Sequence, residues 1–172
     1  MASTFASELL QRNEVTAKSH EPIPYFSEVG LSPKVMIFCC FDPRVNPEEF
    51  LGLKKGEVLL VRNASGTPAR NLIDIAAIDR LAGITEVIVV KHTDCGATHI
   101  TSDQVREHIL KHNPDAAAEL ANFSLQTTND IAKRTKEDVD LIRSSPLIRK
   151  ELRDTASGLL FDLKSGKVTK IV

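Results

Sequence analysis

The sequence has no tryptophan, one tyrosine and seven phenylalanines, so it lacks the material for a platform of stacked nucleobases. It also lacks an excess of charge of either sign. Its 22 Lys and Arg against 23 Asp and Glu leave a formal net charge of −1, with nothing to attract a phosphate backbone or an anionic bilayer. Apolar runs such as Val35–Cys40 and Val87–Val90 fall far short of the roughly 20 residues that cross a membrane. The opening MASTFASELLQRNEV places Glu8 where a signal sequence needs an apolar stretch and has no basic start. The expectation is therefore a cytoplasmic protein with neither nucleic acid nor membrane as partner. Three cysteines, Cys39, Cys40 and Cys95, are too few and too unevenly placed for a disulfide framework. In a reducing compartment, metal binding or catalysis accounts for them better.

What is present suits one domain, because 172 residues can bury a core without staples. No internal repeat or low-complexity tract interrupts it. Residues 1–30 read as an N-terminal helical arm, with a helical pattern around Phe5–Gln11 and then the Pro-punctuated Glu21-Pro22-Ile23-Pro24. Such an arm packs on its own domain or on a partner subunit. From residue 31 to residue 172 the pattern is that of a single α/β domain. Val35–Cys40, Val58–Val61 and Glu86–Val90 are short runs rich in β-branched residues, as in strands buried on both faces. Asn71–Ala82 between the last two has helical spacing and Gly83 as a stop, which makes a βαβ unit with a right-handed crossover. Helices are expected from Ser102 or Asp103 to His112, from Pro114, and over Asn129–Arg143. Leu159–Val172 alternates around Lys164-Ser165-Gly166-Lys167, a terminal hairpin. The whole predicts a three-layer domain with a mainly parallel central sheet and an antiparallel C-terminal hairpin at its edge.

Two segments carry chemistry, and both end predicted strands, where open α/β sheets place their sites. In Cys40-Phe41-Asp42-Pro43-Arg44, an extended chain would turn Cys40, Asp42 and Arg44 to one side and Cys39 to the other. In His92-Thr93-Asp94-Cys95-Gly96, a helical turn would bring His92 and Cys95 to one face. Either segment alone reads equally as a buried cysteine with a surface ion pair, or as a polar loop. Together, on adjacent parallel strands, they supply two sulfurs and an imidazole. That is the three-ligand set of a catalytic zinc with one position open. Soft ligands of this kind select zinc over the oxygen-bound magnesium and calcium.

Cys40-x-Asp42-x-Arg44 followed about fifty residues later by His92-x-x-Cys95-Gly96 resembles the motif pair of the β-class carbonic anhydrases. Arg62-Asn63-Ala64 and the closing Gly158-Leu159-Leu160-Phe161-Asp162 with Ser165-Gly166-Lys167 are similar to further segments of that family, so the likeness runs from about Pro33 to the end. It implies zinc held by Cys40, His92 and Cys95, with the Asp42–Arg44 dyad beside the open position. It implies reversible hydration of carbon dioxide to bicarbonate, and a homodimer or dimer of dimers embraced by the N-terminal arm. It also implies that Asp42 can become a fourth zinc ligand in a closed, inactive state. The short branch of the family includes hydrolases of carbonyl sulfide and carbon disulfide that use the same metal-activated water. Phe41, Pro43 and Ser65 depart from the usual pattern there and touch the pocket lining. A zinc-stabilised binding module without catalysis is the remaining alternative, against which the Asp–Arg pair argues. His99, His108 and His112 read as surface residues or proton carriers, Arg62 as a pocket wall or subunit contact, and Cys39 as core.

Overall fold

The computed structural model describes residues 4–30, 32–121, 123 and 129–172. Contacts divide the chain into two compact units, residues 1–31 and 32–172. In the first, helix α1 (Phe5–Thr16) starts where the Thr4 Oγ1 accepts the Ser7 N–H at 3.3 Å. Short helix α2 (Phe26–Val29) is opened by Glu28, whose carboxylate accepts the Tyr25 N–H at 2.6 Å. Leu10, Val15, Tyr25 and Val29 of this unit are all exposed.

The second unit runs β1 (Val35–Cys40), α3 (Pro47–Phe50), β2 (Leu59–Asn63), α4 (Leu72–Ala82), β3 (Glu86–His92), α5 (Ser102–His112), α6 (Ile131–Ser144), α7 (Lys150–Asp154), β4 (Ser157–Phe161) and β5 (Val168–Lys170). The strands make one sheet in the order β2-β1-β3-β4-β5. The first four are parallel and β5 alone runs antiparallel, beside β4. The mainly parallel sheet with an antiparallel terminal hairpin is thus as the alternation of apolar runs and helices predicts. Gly83 ends α4 in a left-handed conformation, its N–H returning to the Asp79 carbonyl.

Both faces of the sheet are covered. On one, Ile37, Cys39, Val45, Val90 and Phe161 form a buried cluster, and Phe50 of α3 stacks on Phe161 with ring centroids 3.9 Å apart. On the other, α6 packs across β3 and β4. Two expectations change in detail. Pro114 opens a 3-10 turn over Pro114–Ala117 and not an α-helix, while α6 begins at Ile131 behind an Asp130 cap. Helix α7 was not expected: five residues with Leu152 as their one buried side chain are too few to show a period.

The approach of α6 to β4 is possible because position 158 has no side chain. A Cβ on Gly158 would lie 2.5 Å from Thr135 Cγ2 and 3.1 Å from Val139 Cγ2. Gly158→Ala should therefore cost about 1–3 kcal/mol of stability, seen as a lower urea midpoint at unchanged slope.

Candidate metal centre

Strand pairing brings the two motifs together. β1 lies parallel to β3 with Cys39 opposite Val90, so Cys40 and His92 leave adjacent strands at the same edge of the sheet. The chain then turns through Thr93 and Asp94, the latter left-handed at φ 53°, and returns Cys95 toward the strand ends. The convergence of His92 and Cys95 thus comes from a left-handed turn and not from the helical one that their spacing suggested. Cys40 Sγ and Cys95 Sγ are 3.9 Å apart. These sulfurs and a His92 ring nitrogen all lie within 4.8 Å of one another, in three buried residues. Among the described residues this is the one gathering of three such side chains that could hold a metal ion.

The donor chemistry fits a cation. His92 Nδ1 is 2.9 Å from the Thr93 carbonyl oxygen, which can only accept, so Nδ1 carries the proton. Nε2 is left with a free lone pair, buried and without a hydrogen-bond partner. An orphaned buried acceptor beside two sulfurs is costly unless something electropositive sits among them. The hydrogen bond from Cys95 draws the Cys40 thiol below its ordinary value against the effect of burial, and the His92 ring and the backbone N–H groups of Asp42 and Ser65 act in the same direction as Cys95. The same shared hydrogen bond, with burial, pushes Cys95 up. Cys39 points away into the core, where burial raises its thiol to about 11, as its strand position predicts.

Asp42 and Arg44 pair, but through a turn and not an extended chain. Val45 N–H closes on the Asp42 carbonyl, and the Arg44 N–H donates to Asp42 Oδ1 at 2.9 Å. The guanidinium then grips both carboxylate oxygens, with Nη2 2.7 Å from Oδ2 and Nε 3.0 Å from Oδ1. These bonds hold the Asp42 carboxyl at about 2. Arg44 is itself held from the second motif, donating to Asp94 Oδ2 at 2.9 Å and to the Asp94 carbonyl at 3.0 Å. His99 reaches the other Asp94 oxygen at 2.9 Å, on the surface. Asp94 as the link between the motifs was not anticipated, although its place between His92 and Cys95 offered the hint.

Arg62, an exposed residue, turns its guanidinium to the backbone of the loop after β1. Its guanidinium donates to the carbonyls of Cys40 at 3.1 Å, Asp42 at 2.9 Å and Val45 at 2.7 Å, fixing the loop that carries the dyad. His108 and His112 are exposed on α5, their rings tilted against each other with centroids 4.9 Å apart, and are not among the three residues gathered at the centre. Behind the centre lies a charged group with no sequence signal beyond α-helical spacing. Lys91 is 2.5 Å from Asp138, which also accepts from Arg134 at 2.6 Å, all three buried. Burial draws the Lys91 ammonium below its ordinary range and Asp138 opposes that shift. A cavity of about 10 Å³, room for about one water, lies against His92 and Cys95 and is walled by Ser65, Ala97 and Thr98.

The carbonic anhydrase family profile matches residues 35–168. A β-carbonic anhydrase of Mycobacterium tuberculosis is 28% identical over 141 residues, 81% of this chain and 83% of the relative. A carbon disulfide hydrolase of Saccharolobus solfataricus is 27% identical over 158 residues, 80% of this chain and 76% of the relative. Among solved structures, a carbonic anhydrase from Streptococcus mutans aligns over the whole of both chains with TM-score 0.83 and 26% identity.

Ser65, beside the Cys40 sulfur, is left-handed at φ 65°, a conformation that costs a residue bearing a Cβ about 1–2 kcal/mol. Ser65→Gly releases that strain and loses part of the gain to unfolded-state entropy. The expected result is a stability raised by about 0.5–1 kcal/mol, seen as a higher urea midpoint at unchanged slope. An unchanged or lower midpoint would show that the Ser65 hydroxyl outweighs the strain.

Proposed function

The chain belongs to the β-carbonic anhydrase family, and on that premise we propose that it hydrates carbon dioxide reversibly to bicarbonate with a zinc ion held by Cys40, His92 and Cys95. The observation that carries the reading is the buried, unpartnered Nε2 of His92 facing two sulfurs. Two thiolates and an imidazole suit zinc and leave a coordination position free. Zinc bound there would act as a Lewis acid and lower the pKa of water from its bulk value toward ~7.

The remaining work falls to the chain's own groups. Asp42, ionised and gripped by Arg44, can only accept hydrogen bonds, so it orients an attacking water by taking one from its O–H. Arg44 keeps that carboxylate turned, and Asp94 keeps Arg44 in place from the far side. The water oxygen becomes the third oxygen of bicarbonate and one proton leaves to solvent.

The second reading, hydrolysis of carbonyl sulfide or carbon disulfide, is favoured by one observation: a carbon disulfide hydrolase stands among the relatives. It would use the same residues and differ in how the walls around Phe41 and Ser65 admit sulfur. We further propose that residues 1–30 form an arm that packs on a partner subunit of a homodimer or dimer of dimers. Its exposed Leu10, Val15, Tyr25 and Val29 support this. Three free cysteines suit the cytoplasm.

Elemental analysis should find one zinc per chain, mostly lost in Cys40→Ser and Cys95→Ser and kept in Cys39→Ala; full zinc in both ligand variants would remove the basis of the reading. Carbon dioxide hydration should exceed hydrogen sulfide release from carbonyl sulfide at matched concentration, and the reverse order would establish the second reading. Arg44→Ala should retain zinc yet lose about 10²-fold in turnover through misorientation of Asp42.

A further inference from the structure

Among the described residues, the side chains of Lys91, Arg134 and Asp138 are charged and buried; none is a candidate ligand or part of the Asp42–Arg44 pair, and Lys91 and Arg134 line the small cavity that lies against His92 and Cys95. Burying such a group is expensive, and apolar residues of similar size commonly give equal stability. The Lys91 ammonium has partners in two directions, an ion pair and a hydrogen bond. Asp138 Oδ2 lies 2.5 Å away on α6, and the Ser65 carbonyl oxygen accepts from it at 2.5 Å. The other Asp138 oxygen accepts from Arg134 at 2.6 Å and from Thr67 Oγ1 at 3.0 Å. Thr67 in turn donates its N–H to Asn63 Oδ1 at 2.9 Å, so both ends of the turn over residues 64–66 are tied.

That turn lies directly on the first ligand. At Gly66 the backbone comes so close that a Cβ would be 2.7 Å from the Cys39 carbonyl carbon and 2.8 Å from the Cys40 nitrogen. Ser65, left-handed, presents its N–H to the Cys40 sulfur. Alternation along β3 puts Lys91 on the side of α6 while its neighbour His92 serves the cluster.

We propose that Lys91, aimed by Asp138, is a positioning residue for the metal centre: it pins the 64–66 turn onto the Cys39–Cys40 peptide and so fixes the Cys40 sulfur where His92 and Cys95 converge. The proposal rests on the reading of that cluster as a zinc site. An apolar side chain at 91 could fill the same volume but would leave the Ser65 carbonyl without its donor. Groups that orient a ligand in this way typically contribute 10–100-fold to metal affinity.

The test measures zinc affinity of the full chain by competition with a chromogenic chelator, and the sulfur-to-metal charge-transfer band after cobalt substitution. Lys91→Met/Asp138→Asn removes the ammonium and its counter-charge together and leaves Arg134 and Thr67 an acceptor. It should bind zinc about 10–100-fold more weakly and shift the cobalt band. Val139→Ala, a cavity in the same helix where it packs on Gly158 of β4, should lose stability and keep the parent's affinity. Equal affinity in the parent and the folded double variant would overturn the proposal alone, whereas a parent that binds no zinc would overturn the metal reading itself. Linkage supplies a measurement that needs no variant. On stripping zinc from the parent, amides of residues 63–67 and 131–138 should exchange faster while those of 150–154 stay unchanged. Unchanged exchange in the first two segments would equally refute the proposal.

Discussion

Everything at this centre depends on the parallel pairing of β1 with β3. Cys40 and His92 are 52 positions apart in sequence and meet because two short apolar strands find the register that sets Cys39 opposite Val90. Parallel pairs cannot be closed by a tight turn, so the intervening chain must make a strand and a helix before it returns. The cost of closing that loop is met by burial of both strands on both faces: β1 is buried from Met36 to Cys40 and β3 at Val87, Val89 and Val90. Hydrophobic burial therefore places the ligands, although of these burying side chains Cys40 alone belongs to the cluster.

Beyond the strand ends the sheet no longer supplies hydrogen bonds, and the loops are held by charged side chains. Arg62 takes three carbonyls of the 40–45 segment, Arg44 spans Asp42 and Asp94, and Lys91 takes the Ser65 carbonyl. Each is a cation bonded to backbone oxygen or carboxylate, the stronger class of hydrogen bond. This gives a preorganised carboxylate beside the sulfurs, which positions a reactant better than a mobile loop does. Among the described residues, the two non-glycine residues with positive φ, Ser65 and Asp94, flank the ligands, so this backbone strain sits next to the chemistry.

The fold and the cluster were largely legible in the sequence, for separable reasons. Strands buried on both faces leave unbroken apolar runs, and Val35–Cys40 and Glu86–Val90 show them plainly. Soft ligands are rare residues, so Cys40, His92 and Cys95 stood out by identity. The connecting geometry did not. The Asp42 turn and the left-handed Asp94 depend on backbone angles that residue spacing does not encode, and both were expected as regular structure. Arg62 stood out in its Arg62-Asn63-Ala64 segment, but its hold on the loop left no pattern because the partners are carbonyls, which every residue has. Asp138 and Arg134 lie at ordinary helical spacing on α6, and only the folded chain shows them pointing inward at Lys91. Helix α7 was too short to leave a period.

Alternation along β3 has a consequence for how this gene product can vary. Positions 91 and 92 face opposite sides of one strand, a cation toward α6 and an imidazole toward the sulfurs. Within that strand a single inserted or deleted residue would exchange them, sending the imidazole into the ion cluster and the ammonium to the thiols. Substitutions among Val87, Val89 and Val90 change volume and can be absorbed by repacking, but a change of length inverts the chemistry on both faces at once. The strand behaves like a reading frame: tolerant of spelling, intolerant of shift.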